Sequence, residues 1–161
     1  MLRHRWALRT TEGPPLRLTS HTDYAIRVLM YLGVRNGKLA TIREIAGRYG
    51  ISENHLMKVV HRLGKQGYIR TIRGRQGGIR LERDPRDINL GEVVRGCEDD
   101  MAVVECFDPA TNECRIAGAC VLNWVLDDAL GAFMSVLDRH TLGDLLAPAD
   151  RIAWRLGLPS R

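Results

Sequence analysis

Cys106, Cys114 and Cys120 fall within ECFDPATNECRIAGAC, the sixteen residues from Glu105 to Cys120, in a chain with four cysteines in all. Asp108-Pro109, Thr111-Asn112 and Gly118 are turn-formers, so the thiols sit on a loop. Three thiols on a loop can ligate a metal, form a redox pair with a spare, or pack as small residues. The spacing is C-x7-C-x5-C. Zinc sites pair their ligands closely and need four, which this pattern lacks. The absence of a C-x-x-C pair weakens a thioredoxin-like reading. An iron–sulfur cluster accepts soft thiolates spread along a loop. Three cysteines then leave one iron needing a ligand from elsewhere in the chain, another subunit or a small molecule. Iron–sulfur binding is the favoured reading, with zinc, a thiol switch and plain structural cysteines as alternatives. Cys97 closes an apolar helical pattern and reads as a small buried residue.

The chain has 161 residues and is 45% apolar, which suits one domain or a small domain with an appendage. No apolar run approaches the ~18 residues needed to cross a membrane. The basic N-terminus lacks the apolar stretch of a secretory signal. A cytoplasmic location is therefore the default, and there thiols stay reduced. Residues 1–50 carry nine Lys and Arg against three acids, and residues 51–83 carry eight against two. Residues 84–150 reverse the sign, with four against fourteen. A basic front can meet a polyanion that an acidic back would repel; two ordinary solvated faces are the alternative. There is little for an enzyme: no nucleotide-binding loop, no Ser/His/Asp grouping, and five histidines without metal spacing.

These loop thiols need elements to position them. Residues 1–17 read as a disordered extension, broken by Gly13-Pro14-Pro15, with a native start expected at Leu16. A first helix over TSHTDYAIRVLMYLGVR places Ala25, Leu29 and Leu32 on one face, with Ser20 and Asp23 as a capping pair. Thr41 caps a short second helix, Gly50 turns the chain, and Ser52 caps a third helix with Leu56, Val59, Val60 and Leu63 inward. That is a helix-turn-helix. A hairpin with Arg70, Arg73, Arg75 and Arg80 follows, which makes a winged helix over 18–83. The predicted fold is mainly α with a small β-hairpin wing. The predicted partner is double-stranded DNA. Ser52, Asn54, His55 and Lys58 would reach base edges, Arg62 a phosphate, and Arg73, Arg75 and Gln76 the backbone or a narrow minor groove.

Residues 84–121 read as a linker helix and cluster loop. Residues 122–147 read as a long helix with a following short segment, and 148–161 as a tail. Leu122, Leu126, Ala129, Phe133 and Val136 step by four, three, four and three, the spacing of a helix–helix seam. So wide an apolar helix outside the DNA-reading unit calls for cover, and a homodimer supplies it. Two winged helices about a two-fold axis would read an inverted-repeat operator.

Leu18-Thr19-Ser20, Thr22-Asp23-Tyr24 with Arg27, IRGRQGGIRL at 72–81, VECFDPATNECRIAGAC at 104–120 and VLDRHTLGDLL at 136–146 occur in that order. Together they resemble the bacterial iron–sulfur winged-helix regulators that include IscR and RirA, and among these the nitric-oxide-sensing NsrR group, over about residues 16–147. The resemblance implies a homodimeric repressor of nitric-oxide-stress genes holding a cluster, commonly [4Fe-4S] with [2Fe-2S] as the alternative. It implies Cys106, Cys114 and Cys120 as ligands, and Asp23 from the partner subunit as the fourth. Nitric oxide would attack the iron held by this hard oxygen ligand and release the operator. Asp23 also has a simpler role, since an acid in the first turn offsets the helix dipole. A relative sensing iron, cluster status or thiol oxidation is the other reading.

Overall fold

Thr19 starts the first helix. Its hydroxyl accepts the Thr22 amide, and α1 runs Ser20–Val34. The expected capping pair of Ser20 with Asp23 is displaced by one residue, because the hydroxyl one position earlier is the one outside the helix. The computed structural model describes residues 17–159, so the expected extension, Arg17 apart, and the expected start at Leu16 lie outside the described residues.

Thr41 caps α2 (Ile42–Tyr49) by accepting the Glu44 amide, as its position predicts. Gly50 ends the helix at φ 65°, a left-handed conformation that costs glycine little. Ile51 is buried beneath the turn, and α3 runs Glu53–Lys65. Ser52 holds the cap position without a capping bond from its hydroxyl. The core forms where α1 meets α3: Ala25, Val28, Leu29 and Leu32 face Leu56, Val59 and Leu63, all at most 1% exposed. Each of these valine and leucine side chains contributes about 1.5–3 kcal/mol by leaving water. The Tyr31 hydroxyl donates to Glu44 at 2.7 Å and fastens α1 to α2.

Strands β1 (Ile69–Ile72) and β2 (Gly78–Leu81) pair antiparallel, with Arg70 opposite Arg80 and Thr71 opposite Ile79. Ala40 joins the hairpin through reciprocal backbone bonds with Ile79 of 3.0 and 2.8 Å. This third edge roots the wing in the helical core. Gly78 permits it: a Cβ there would lie 2.8 Å from the Ala40 carbonyl oxygen. Gly78→Ala is expected to cost about 1–3 kcal/mol. The checks are a lowered thermal midpoint and faster amide exchange in the wing than in α1.

Asp84 caps a 3-10 turn at Pro85–Asp87, and Asn89 caps α4 (Leu90–Cys97). A second 3-10 turn, Glu105–Phe107, lies in the cysteine loop. The long helix α5 (Val121–Asp138) is anchored at its C-terminal end. The Asp138 carboxylate accepts from both terminal guanidinium nitrogens of Arg95, and its backbone carbonyl accepts from the Asn89 side-chain amide. Asn89 and Thr141 form a bridge across this junction, with the Leu90 amide donating to the His140 carbonyl and the Leu142 amide to the Ile88 carbonyl. α6 (Leu142–Leu145) starts with a capping box of Thr141 and Asp144.

The expected tail at 148–161 is corrected by α7 (Ala149–Arg155), which packs on α1. Ala153 and Leu158 enter the core, with Ile152 and Leu156 partly buried beside them. That apolar pattern is too short to stand as a helix by itself and gains its stability from the α1 surface.

Candidate nucleic-acid interface and cysteine loop

The outward face of α3 presents Ser52, Asn54, His55 and Lys58, all exposed. Met57 stands among them at 50% exposure and was not singled out by sequence, because one apolar residue on a polar face carries no periodic signal. The wing projects Arg73, Arg75 and Gln76, also exposed, around a turn with Gly74 at φ 112°. Arg70 lies 3.8 Å from Glu82, and Arg43 lies 3.4 Å from Glu53 at the helix start.

Arg62 departs from the expected placement. Its guanidinium points away from the outward face, with Nε donating to the Gly96 carbonyl and one terminal nitrogen to Asp99, both at 2.7 Å. Position 62 borders the buried stripe of α3, so a long side chain can swing either way. Here the carbonyl at the end of α4 captures it. On α1, burial first and then the Arg62 charge lower the pKa of His21, which leaves it neutral near this cation at pH 7.

In the cysteine loop, Cys106 lies in the turn Glu105–Phe107, and Cys120 holds the N-cap position of α5. Asp108 accepts from the Ala110 amide and the Thr111 hydroxyl, and these bonds hold its carboxyl below the usual range. The Asn112 side chain accepts the Cys114 amide at 3.0 Å. From the first turn of α5, the Asn123 amide nitrogen donates to Cys106 Sγ at 3.1 Å. All three loop thiols are free and partly exposed. Cys97 is 2% exposed, and burial pushes its thiol up to about 11. It belongs to the core, as its position in the helix suggests.

Three free thiols on one loop suit an iron–sulfur cluster in kind and fall one ligand short in number. The loop carries the donors without gathering them: among the described residues, no three His, Cys, Asp or Glu side chains converge as a metal-binding group. Asp23 is in the first turn of α1, half-exposed, and paired with Arg27 through both carboxylate oxygens at 3.1 and 2.8 Å. No metal-binding group among the described residues includes it.

The profile of Rrf2, described as an iron-dependent transcriptional regulator, matches residues 18–148. The chain belongs to the Rrf2 family. The HTH-type transcriptional regulator NsrR of Bacillus subtilis strain 168 is 56% identical over 132 residues, which are 81% of this chain and 90% of that protein. The protein of the same name from Geobacillus kaustophilus strain HTA426 is 48% identical over 147 residues, 91% and 99% of the two chains. The structure of T. potens IscR superposes with a TM-score of 0.66 at 29% identity, covering 85% of this chain and 90% of that one. The winged-helix fold and the likeness to NsrR both agree with the sequence reading. As an Rrf2 protein the chain is a DNA-binding transcriptional regulator rather than an enzyme, and no helix among its described residues is long and apolar enough to cross a membrane.

Proposed function

We propose that this Rrf2 regulator represses its targets as a homodimer on an inverted-repeat operator, and that an iron–sulfur cluster makes that binding sensitive to nitric oxide. The observation that carries the reading is one chain holding an exposed recognition helix and a loop of three free thiols. Its likeness to proteins named NsrR supports the signal.

Cys106, Cys114 and Cys120 would hold the cluster, with [4Fe-4S] favoured, and Asp23 of the partner subunit would complete it. When bound, the cluster supplies iron atoms that react with nitric oxide. Serving as that ligand requires Asp23 to leave or share its pairing with Arg27. The half-exposed position of Asp23 leaves it open to a neighbouring subunit.

Ser52, Asn54, His55 and Lys58 start the recognition helix and are the residues placed to read bases. Ser52 makes no capping bond, so its hydroxyl is available to DNA. Two such helices about 34–36 Å apart fit successive major grooves. Arg73, Arg75 and Gln76 reach the flanking backbone. Arg62 is left out of the interface, because Gly96 and Asp99 hold its guanidinium.

Arg75→Ala is expected to weaken binding to a duplex selected from a random pool by on the order of tenfold, and to reduce the salt slope by about one. An unchanged affinity and slope would remove the wing from the interface. The family description also names iron, so a regulator of iron or cluster status is the second reading. Operator release by iron chelation under nitrogen, with no response to nitric oxide, would favour it.

A further inference from the structure

The last turns of α3 and α4 are tied at one point. Arg62 Nε and Gln66 Nε2 both donate to the Gly96 carbonyl, and Arg62 also reaches Asp99. Gly96 and Asp99 flank the place where the chain leaves α4 for the cysteine loop. A side chain at 96 would meet the flexible end of Gln66, with Nε2 at 2.7 Å, and would disturb the Gln66 half of this tie. Between the two anchor points, Glu98 accepts from the Thr19 backbone amide at 2.8 Å and the Thr19 hydroxyl at 3.2 Å. Thr19 caps the helix that carries Asp23. Residues 96–99 thus clasp the recognition helix on one side and the start of α1 on the other. They lie a few residues ahead of Cys106.

We propose that Arg62 is a positioning residue that transmits the state of the cysteine loop to the recognition helix. This rests on the reading above for what holds the loop, and adds how α3 senses it. With the loop held, Gly96 and Asp99 stay in place and Arg62 fixes the α3 axis against α4. With the loop released, the residue 96–99 segment moves and α3 loses this anchor. Charge alone does not explain the contact. An exposed Arg–Asp pair is worth little, whereas a guanidinium fork shared between a carbonyl and a carboxylate sets direction.

The test compares the wild-type chain with Arg62→Ala and Arg62→Lys. Lysine keeps the charge without the planar fork, and it guards against a variant that fails to fold. The first readout is amide hydrogen exchange across residues 53–66, before and after alkylating the loop thiols with N-ethylmaleimide. In the wild type, alkylation is expected to speed exchange in α3 at least threefold. In both variants α3 exchanges fast beforehand and alkylation changes it little. An α3 in the wild type that ignores loop alkylation would overturn the proposal, whether or not the chain carries a cluster.

The second readout is affinity for the selected duplex with and without the cluster. Arg62→Ala should keep the visible spectrum and the wild-type salt slope, while the loaded-to-unloaded affinity ratio falls at least tenfold towards one. Equal losses in both forms, or a reduced salt slope, would make Arg62 a structural residue or a phosphate contact and reject the coupling role. A wild-type chain that takes up no cluster would instead reject the iron–sulfur reading, and the exchange experiment would still decide the clasp.

Discussion

Cys114→Ala, reconstituted under nitrogen with iron and sulfide, should lose the visible absorption of the wild type and every effect of nitric oxide on DNA binding. Two soft ligands remain on the loop, too few to hold a cluster of this kind. The winged helix should be untouched. Cys114 lies on a loop held by local turns such as the Asn112 side-chain contact, and it packs against none of the core. Its removal should therefore change stability by no more than about 0.5 kcal/mol, as for most surface substitutions. Cys97→Ala should do the reverse. The thiol is buried within the core, so the change should cost about 1 kcal/mol and leave the absorption in place. The pair of variants separates a ligand from a packing residue. If Cys114→Ala kept the full spectrum, the loop would not be the cluster site.

Phe133→Glu is expected to convert the protein to a monomer in sedimentation and to lower affinity for the selected duplex at least a hundredfold. Of the eighteen residues in α5 only Met134 is buried, while Leu122, Val125, Phe133 and Val136, which share one side of the helix, are between 44% and 57% exposed. So large a continuous apolar face is rare on a monomer. Beside it runs a groove of about 420 Å³ lined by Leu18, Met101, Val103, Leu126, Leu130 and Phe133. A two-fold contact uses the same patch twice, so one substitution introduces two carboxylates. Burying each without a partner costs several kcal/mol, and every 1.4 kcal/mol weakens the association about tenfold. The DNA consequence follows because one half-site supplies only part of the contacts. Phe133→Leu should retain the dimer. A dimeric Phe133→Glu chain with wild-type affinity would place the subunit contact elsewhere.

Local signals made most of the DNA-reading unit legible. Thr41, Gly50 and Ser52 mark helix ends by chemistry that operates over a few residues, and the spacing of Leu56, Val59, Val60 and Leu63 fixes the buried face of α3. The Arg-rich hairpin follows from alternation and glycines. What escaped depends on distant partners. Ser20 and Thr19 both carry a hydroxyl, and which one caps α1 also reflects the bond from Thr19 to Glu98, seventy-nine residues away. Arg62 borders the buried stripe, and its direction is set by a carbonyl thirty-four residues on. The bridge from Ala40 to Ile79 is too short to leave a strand pattern. α7 has an apolar side only in relation to the α1 surface it covers. The cysteine loop was legible as a donor set and not as a geometry, since turn residues define no shared direction for three thiols. Asp23 shows neither burial nor convergence within one chain that would mark it as a ligand, and only the likeness to a family pointed to it.

The decisive measurement is a nitric oxide titration of the reconstituted wild-type protein under nitrogen, with visible absorption and binding to the selected duplex followed together. Operator release in step with the loss of the cluster absorption, absent in Cys114→Ala, is the expected result. Binding that persists while the absorption is lost, or a chain that takes up no cluster, would contradict control of DNA binding by nitric oxide through this loop.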